Sequence, residues 1–237
     1  MRTEHDFLGE MQVEDNVYYG IQTLRAIENF KITGEKLDPD FIKAIAMVKK
    51  AACLTNMETG RMPEDIGNAM VTAADEIIEG KMADQFPLDP IQGGAGTSIN
   101  MNMNEVLSNR ALEILGYPLG RYDIISPNNH ANMAQSTNDA FPTSIKVCIL
   151  RKAAILNEAL IRMAEEFERK GEEFKDVIKM GRTHLQDAVP ITLGNDFLWL
   201  YRSSLYLAYY TFFRFSPKYK YGRNRSRNRI KCGSRIH

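Results

Sequence analysis

Residues 143–178 read TSIKVCILRKAAILNEALIRMAEEFERKGEEFKDVI, a stretch with no proline and a single glycine, Gly171. Its apolar positions Ile145, Ile149, Leu156, Leu160, Met163 and Phe167 recur at the spacing of one helix face. The pattern predicts a helix of about 30 residues, ~45 Å long at about 1.5 Å per residue and well above ordinary length. Such a helix must bury its stripe against partners of similar length, and a bundle is the natural arrangement. No equally long partner comes after it, which points to other subunits or to a missing continuation.

Upstream of this stretch, helical periodicity continues. Asp38-Pro39 places an N-cap and a helix-compatible proline before Phe41, Ala44, Ile45, Val48 and Ala52 on one face. Pro63 opens a second helix with Ile66, Met70, Ala73 and Ile77 inward, ending at Gly80. A third is expected from about Asn102 to Leu115, with Gly116 as its C-terminal glycine. Before these, the first 35 residues are mixed and rich in turn formers, with a short extended piece around Val17 to Ile21.

Composition is that of a soluble globular chain, 44% apolar and 25% charged in 237 residues. The formal charge of zero conceals an asymmetry. All 30 acidic residues lie at or before Asp196, whereas ten of the 30 basic residues come after it, leaving −10 on one side and +10 on the other. The three cysteines, Cys53, Cys148 and Cys232, have no C-x-x-C spacing, so neither a disulfide framework nor a zinc site is indicated. MRTEHDFLGE lacks the apolar core of a secretory signal, and the cytoplasm is the expected compartment.

Polar segments carrying glycine or proline interrupt the helices at 92–104, 126–139 and 181–190. The first, Gln92-Gly-Gly-Ala-Gly-Thr-Ser-Ile-Asn-Met-Asn-Met-Asn-Glu105, lets backbone approach a ligand and places Thr97 and Ser98 at a helix start. Free N–H groups and the helix dipole there favour an anion. A plain glycine-rich turn with a Thr or Ser cap is the alternative. The second segment contains Gln135-Ser136-Thr137-Asn138-Asp139 ahead of Phe141-Pro142. A helix cap needs one or two such residues, so five in a row favour a polar ligand. In the third, Gly181-Arg-Thr-His-Leu-Gln-Asp-Ala188, Thr183 and His184 are either structural or ligand-binding. With no G-x-S-x-G, no H-E-x-x-H and no paired cysteines, hydrolase triads and metalloproteases are disfavoured.

Together these segments resemble the conserved regions of the aspartase/fumarase superfamily, over about His5 to Asp196. Tyr18-Tyr-Gly-Ile-Gln-Thr-Leu-Arg-Ala26, Glu28-Asn-Phe30 and Gly93-Gly-Ala-Gly-Thr-Ser98 are similar to the aspartate ammonia-lyase branch rather than to class II fumarases. Gln135-Ser-Thr-Asn-Asp139 and Gly181-Arg-Thr-His-Leu-Gln-Asp187 are shared by both branches.

The resemblance implies a mainly α fold: a helical N-terminal lyase domain over 1–139, the start of a central long-helix bundle over 140–196, and a truncated remainder. It implies a homotetramer whose sites draw on three subunits, and reversible deamination of L-aspartate to fumarate and ammonia. A class II fumarase-type hydratase and a non-catalytic fragment are the alternatives. It further implies that Thr97, Ser136, Thr137, Asn138, Thr183 and His184 bind the substrate's carboxylates and amino group, with His184 supporting catalysis. Asn128 and His130 fall where the family has a second anion site. No organic cofactor is implied and no metal ligand is assigned; activation by a divalent metal such as Mg is an expectation that the resemblance raises.

The family's general base is a serine in a loop resembling G-S-S-x-M-P-x-K-x-N-P, and no such motif occurs here. Residues 197–237 do not resemble the family. Tyr221 to His237 can be encoded by codons which, read one nucleotide later, give M-G-A-T-A-V-G-T-G-L-N-A-D-P-E-Y, similar to the next segment of aspartases. A frameshifted tail, and a chain inactive alone, are therefore expected. The rival readings of the tail are a membrane anchor, from apolar Leu198 to Phe213 before a basic run, and a nucleic-acid tail. The frame argument disfavours both, so neither a membrane nor a nucleic-acid partner is expected.

Overall fold

The computed structural model describes residues 1–215, with side chains described through residue 210. Tyr221 to His237, on which the frame argument rests, lie outside the described residues. The chain divides into two compact units, Met1–Cys148 and Ile149 onward, and the boundary falls within one long helix.

The first unit opens with an antiparallel hairpin of β1 (Arg2–Asp6) and β2 (Gly9–Val13). The extended piece expected near Val17–Ile21 is not a strand. Residues 17–20 are irregular and α1 (Ile21–Asn29) begins at once. The reason is visible at its N-terminus, where Gly20 has no capping side chain and two buried carboxylates substitute for one. Glu105 accepts from the N–H groups of Gly20 and Gln22 at 2.8 Å and Thr23 at 3.2 Å, while Glu4 accepts from Ile21 at 2.9 Å. Anions at a helix start satisfy its orphan donors and its dipole together.

Helices α2 (Pro39–Glu58), α3 (Glu64–Ile78) and α4 (Thr97–Ile114) pack into the core of this unit. Asp38 caps α2 through the Asp40 N–H at 2.9 Å, as its position before Pro39 suggests. Of the expected face of α2, Ala44 and Ile45 are buried and Phe41, Val48 and Ala52 half-buried, and the buried surface extends further to Ile42, Ala46, Lys49, Cys53 and Asn56. α4 starts earlier than its apolar pattern indicates, because Asn100, Asn102 and Asn104 are themselves buried in the helix. Gly116 closes α4 at φ +81 as expected, its N–H donating to Glu113 at 3.0 Å.

The long helix α5 (Thr137–Glu173) is longer than expected and begins before Pro142. Pro142 has no N–H, so the carbonyl of Asn138, four residues back, lacks its helical donor.

In the second unit, α5 leads into a hairpin of β3 (Ile178–Thr183) and β4 (Gln186–Thr192), then α6 (Leu193–Phe215). The polar loop expected at 181–190 is therefore mostly strand. Gly171 and Gly194 permit a close approach: a Cβ on Gly194 would stand 2.4 Å from the Gly171 carbonyl. The rings of Phe167 and Phe174 both meet Phe197. Of the predicted stripe, Leu160 is buried, but Ile145, Leu156 and Met163 remain exposed. Among the described residues, no helix is long and apolar enough to cross a membrane.

Candidate active site

Five non-glycine residues take positive φ among those described, and four fall in the segments singled out by sequence: Ala95 (φ 50), Ala134 (φ 56), His184 (φ 50) and Leu185 (φ 64). Left-handed backbone at a residue with a Cβ costs free energy and persists where the surroundings impose it, typically at ligand sites. In the first segment Gly94, Ala95 and Gly96 are left-handed in succession and lead directly into α4.

The first and second segments meet inside the first unit. A Cβ on Gly96 would overlap the Phe141 ring, which also packs edge-on against Phe41 with centroids 5.4 Å apart. One turn into α4, the Asn100 side-chain amide donates to Thr137 Oγ1 at 3.2 Å. The N-termini of α4 and α5 are thus held side by side, with Thr97 the first residue of one and Thr137 the first of the other.

Their hydroxyls have opposite polarity. Thr97 Oγ1 donates its hydrogen to the Gly94 carbonyl at 2.6 Å, leaving lone pairs for an outside donor. Thr137 Oγ1 accepts from Asn100, leaving its hydrogen for an outside acceptor. Thr97 is exposed and Thr137 half-buried.

The excess of polar residues before α5 is partly structural. Ser136 and Asp139 form a capping box: Ser136 Oγ accepts from the Asn138 N–H at 3.2 Å, and Asp139 accepts from the Ser136 N–H at 3.3 Å. Gln135 donates to the Ala131 carbonyl at 3.2 Å. Asn138 is exposed at the helix start.

Thr183 and His184 lie in the second unit, exposed at the tip of the β3–β4 hairpin. Thr183 pairs with Gln186 across a two-residue turn made by His184 and Leu185, both at positive φ as a tight hairpin requires.

Asn128 lines a cavity of about 540 Å³ in the first unit, together with Glu4, Asp6, Glu105 and Asp123. Three of those carboxylates are paired, Glu4 with Arg2, Asp6 with Arg25 and Asp123 with Arg121. His130 is held inside the turn Pro127–Ala131, its Nδ1 accepting from the Ser126 N–H at 2.9 Å, and burial lowers its pKa.

Sequence reading missed Lys49, Asn100 and Asn132. Lys49 is fully buried and donates to Asn132 Oδ1 at 3.0 Å, and Asn100 donates to the same oxygen at 3.1 Å. The available signal was a lysine standing on the apolar face of α2, in register with Ile42, Ile45 and Cys53. Burial drives the Lys49 pKa down to about 7, and the Cys53 thiol one turn on is pushed up to about 11.

Among the described residues no group of three or more His, Cys, Asp or Glu is arranged to hold a metal ion.

A mainly helical frame, with two helix N-termini meeting under strained turns that present hydroxyls and amides, defines a lyase fold of the fumarase and aspartase type. The chain belongs to the lyase family, whose profile matches residues 9–205. It is 61% identical over 196 residues to an aspartate ammonia-lyase of Bacillus subtilis, covering 83% of this chain and 41% of that protein. To aspartate ammonia-lyases of Helicobacter pylori and Escherichia coli it is 54% and 50% identical, each covering 83% of this chain and 42% of the relative. The chain therefore spans about two fifths of the length of these curated relatives.

Among solved structures, a fumarate lyase:delta crystallin from Brucella melitensis superposes with a TM-score of 0.80 at 48% identity, over 88% of this chain and 48% of that one. A class II fumarase from Schistosoma mansoni gives 0.78 at 36% identity, over 87% and 44%.

Proposed function

We propose that this chain supplies the N-terminal part of an aspartate ammonia-lyase site, in which L-aspartate is reversibly deaminated to fumarate and ammonia. The observation that carries this reading is the opposed polarity of Thr97 and Thr137 at adjoining helix starts. An acceptor beside a donor suits a ligand bearing both an ammonium and a carboxylate, and the two helix dipoles favour the anionic end.

In the proposed reaction the Cβ–H bond breaks first and its electron pair moves into the adjacent carboxylate. The resulting aci-carboxylate then expels the Cα–N bond as ammonia, leaving the fumarate double bond. Thr137, Asn138 and the paired helix starts stabilise the developing charge, each well-placed donor by roughly 3 kcal/mol. Thr97 receives the ammonium. Ser136 holds the α5 start through its cap, and in this reading, where each site draws on three subunits, Thr183 and His184 supply further donors from their strained turn in another subunit. The base that removes the Cβ proton is assigned to the serine loop, which this sequence lacks. A cytoplasmic homotetramer, in which other subunits cover the exposed stripe of α5, belongs to the same reading.

The test is fumarate formation from L-aspartate, monitored by ultraviolet absorbance, for two proteins. This chain alone should be inactive. Residues 1–196 joined to the remaining segment of the Bacillus subtilis relative should be active. A folded chimera that ignores aspartate would sink the proposal, and one that instead converts malate would support the hydratase alternative.

A further inference from the structure

The polarity of Thr137 has a cause outside the site, and it begins at Lys49. An ammonium is a donor only, so Asn132 must turn its Oδ1 toward Lys49, at 3.0 Å. The other end of the same amide agrees, since Asn132 Nδ2 donates to the Gln135 carbonyl at 3.1 Å. With that oxygen fixed, Asn100 must present Nδ2 to it, at 3.1 Å, because the flipped amide would set oxygen against oxygen. The second hydrogen of Asn100 Nδ2 then reaches Thr137 Oγ1 at 3.2 Å. Asn100 Oδ1 is left buried without a hydrogen bond, so its orientation is imposed by its donors rather than chosen for its oxygen.

We propose that Lys49 is a positioning residue of the lyase site, fixing through Asn132 and Asn100 the direction in which the Thr137 hydroxyl donates. This rests on the lyase reading and names the group that sets its polarity. Of the titratable groups on α2 and on the helices packed around it, Cys53 alone couples to Lys49 through charge. Asp75 pairs with Lys50, Glu76 with Arg110, Glu105 is taken up by the start of α1, and the Nδ1 of His130 by Ser126. Nothing on those groups substitutes for the Lys49 donor.

The test is a double-mutant cycle on the full chain between Lys49→Met and Thr137→Val. The readout is the fumarate dissociation constant from NMR titration, with melting checked in each variant. Each single change should weaken fumarate about tenfold, and the double should be no weaker than Thr137→Val alone, because both remove the same donated hydrogen. Losses that multiply to about a hundredfold, or a Lys49→Met variant that binds normally, overturn the proposal.

Asn100→Asp, similar in size but an acceptor only, should turn the Thr137 hydroxyl inward. It replaces Lys49→Met in the cycle if that variant does not fold, with the same two outcomes. If the wild-type chain binds no fumarate, the cycle moves to the chimera of residues 1–196 with the Bacillus subtilis remainder; a folded chimera that binds none sinks the lyase reading, and the relay is decided separately. The Thr137 amide signal should then move with the titration of Lys49 near pH 7 in the wild type and stay still in Lys49→Met. A still signal in the wild type overturns the relay.

Discussion

The ring of Phe141 occupies the space beside Gly96: a Cβ there would stand 2.4 Å from Phe141 Cγ, and Gly96 itself sits at φ +93. Gly96 immediately precedes Thr97, and Phe141 lies one turn into α5, so this contact sets the distance between the two helix starts. Gly96→Ala is expected to cost roughly 2–4 kcal/mol, part backbone strain and part overpacking against the ring. Urea unfolding measures it. Phe141→Leu in the same background should recover part of the loss, and a Gly96→Ala protein as stable as wild type would show that the ring does not rest there.

Glu105 is buried beneath α1, and burial pushes its pKa up to about 7 despite the hydrogen bonds from Thr23, Gly20 and Gln22. A carboxyl whose folded pKa exceeds its unfolded value near 4.5 binds more protons when native. Its stability contribution is full below that unfolded value and is lost as pH rises through about 7. Glu105→Gln should therefore flatten the fall in stability across this window, which for the wild type is on the order of 1.4 kcal/mol per pH unit. A fall of unchanged slope in Glu105→Gln would assign it to another group.

The helices were legible because each carries a local mark: Asp38-Pro39 at one start, Gly80 and Gly116 after two ends, and an uninterrupted apolar stripe in α5. The turns of the site were legible as polar interruptions bearing glycine or proline. The features that stayed hidden depend on contacts between residues far apart in sequence. The start of α1 is capped by Glu105, which no local pattern reports. The hairpin at 178–192 reads as a loop because its strands are short and largely exposed, and Gly181 and Pro190 interrupt them. Lys49 was passed over because a lysine inside an apolar stripe ordinarily reaches out to solvent, whereas this one ends on Asn132. Thr97 and Thr137 were found as polar residues, but only the hydrogen bonds distinguish the acceptor from the donor.

The turn His184-Leu185 holds two left-handed residues that both carry a Cβ, and Leu185 is 96% exposed. Its side chain contributes little to packing, so the conformation is maintained at a cost. Leu185→Gly should stabilise the hairpin by roughly 1 kcal/mol by removing that strain, even after the entropy gained by the unfolded chain. His184→Gly should relieve strain similarly while removing a proposed substrate ligand, so stability and activity of the chimera should move in opposite directions. Thermal unfolding of both variants checks the first claim, and a destabilised Leu185→Gly would refute it.

Lys49 gives the protein a pH dependence opposite in sign to that of Glu105. Burial lowers its pKa from 10.5 to about 7, so between those values the unfolded chain holds a proton that the native chain has released. Stability must then rise with pH across this window, on the order of 1.4 kcal/mol per unit, and be lost as pH falls through about 7. Glu105 titrates from below toward the same value. Both buried groups are partly charged near neutrality, and the first unit should show a local minimum of stability there. Amide exchange along α4, corrected for its intrinsic pH dependence, reports opening of this unit without interference from the second. Lys49→Met should abolish the rise above the minimum and leave the fall below it, while Glu105→Gln does the reverse. If the α4 amides of Lys49→Met still gain protection between about pH 7 and 10 as the wild type does, the buried ammonium is not the source.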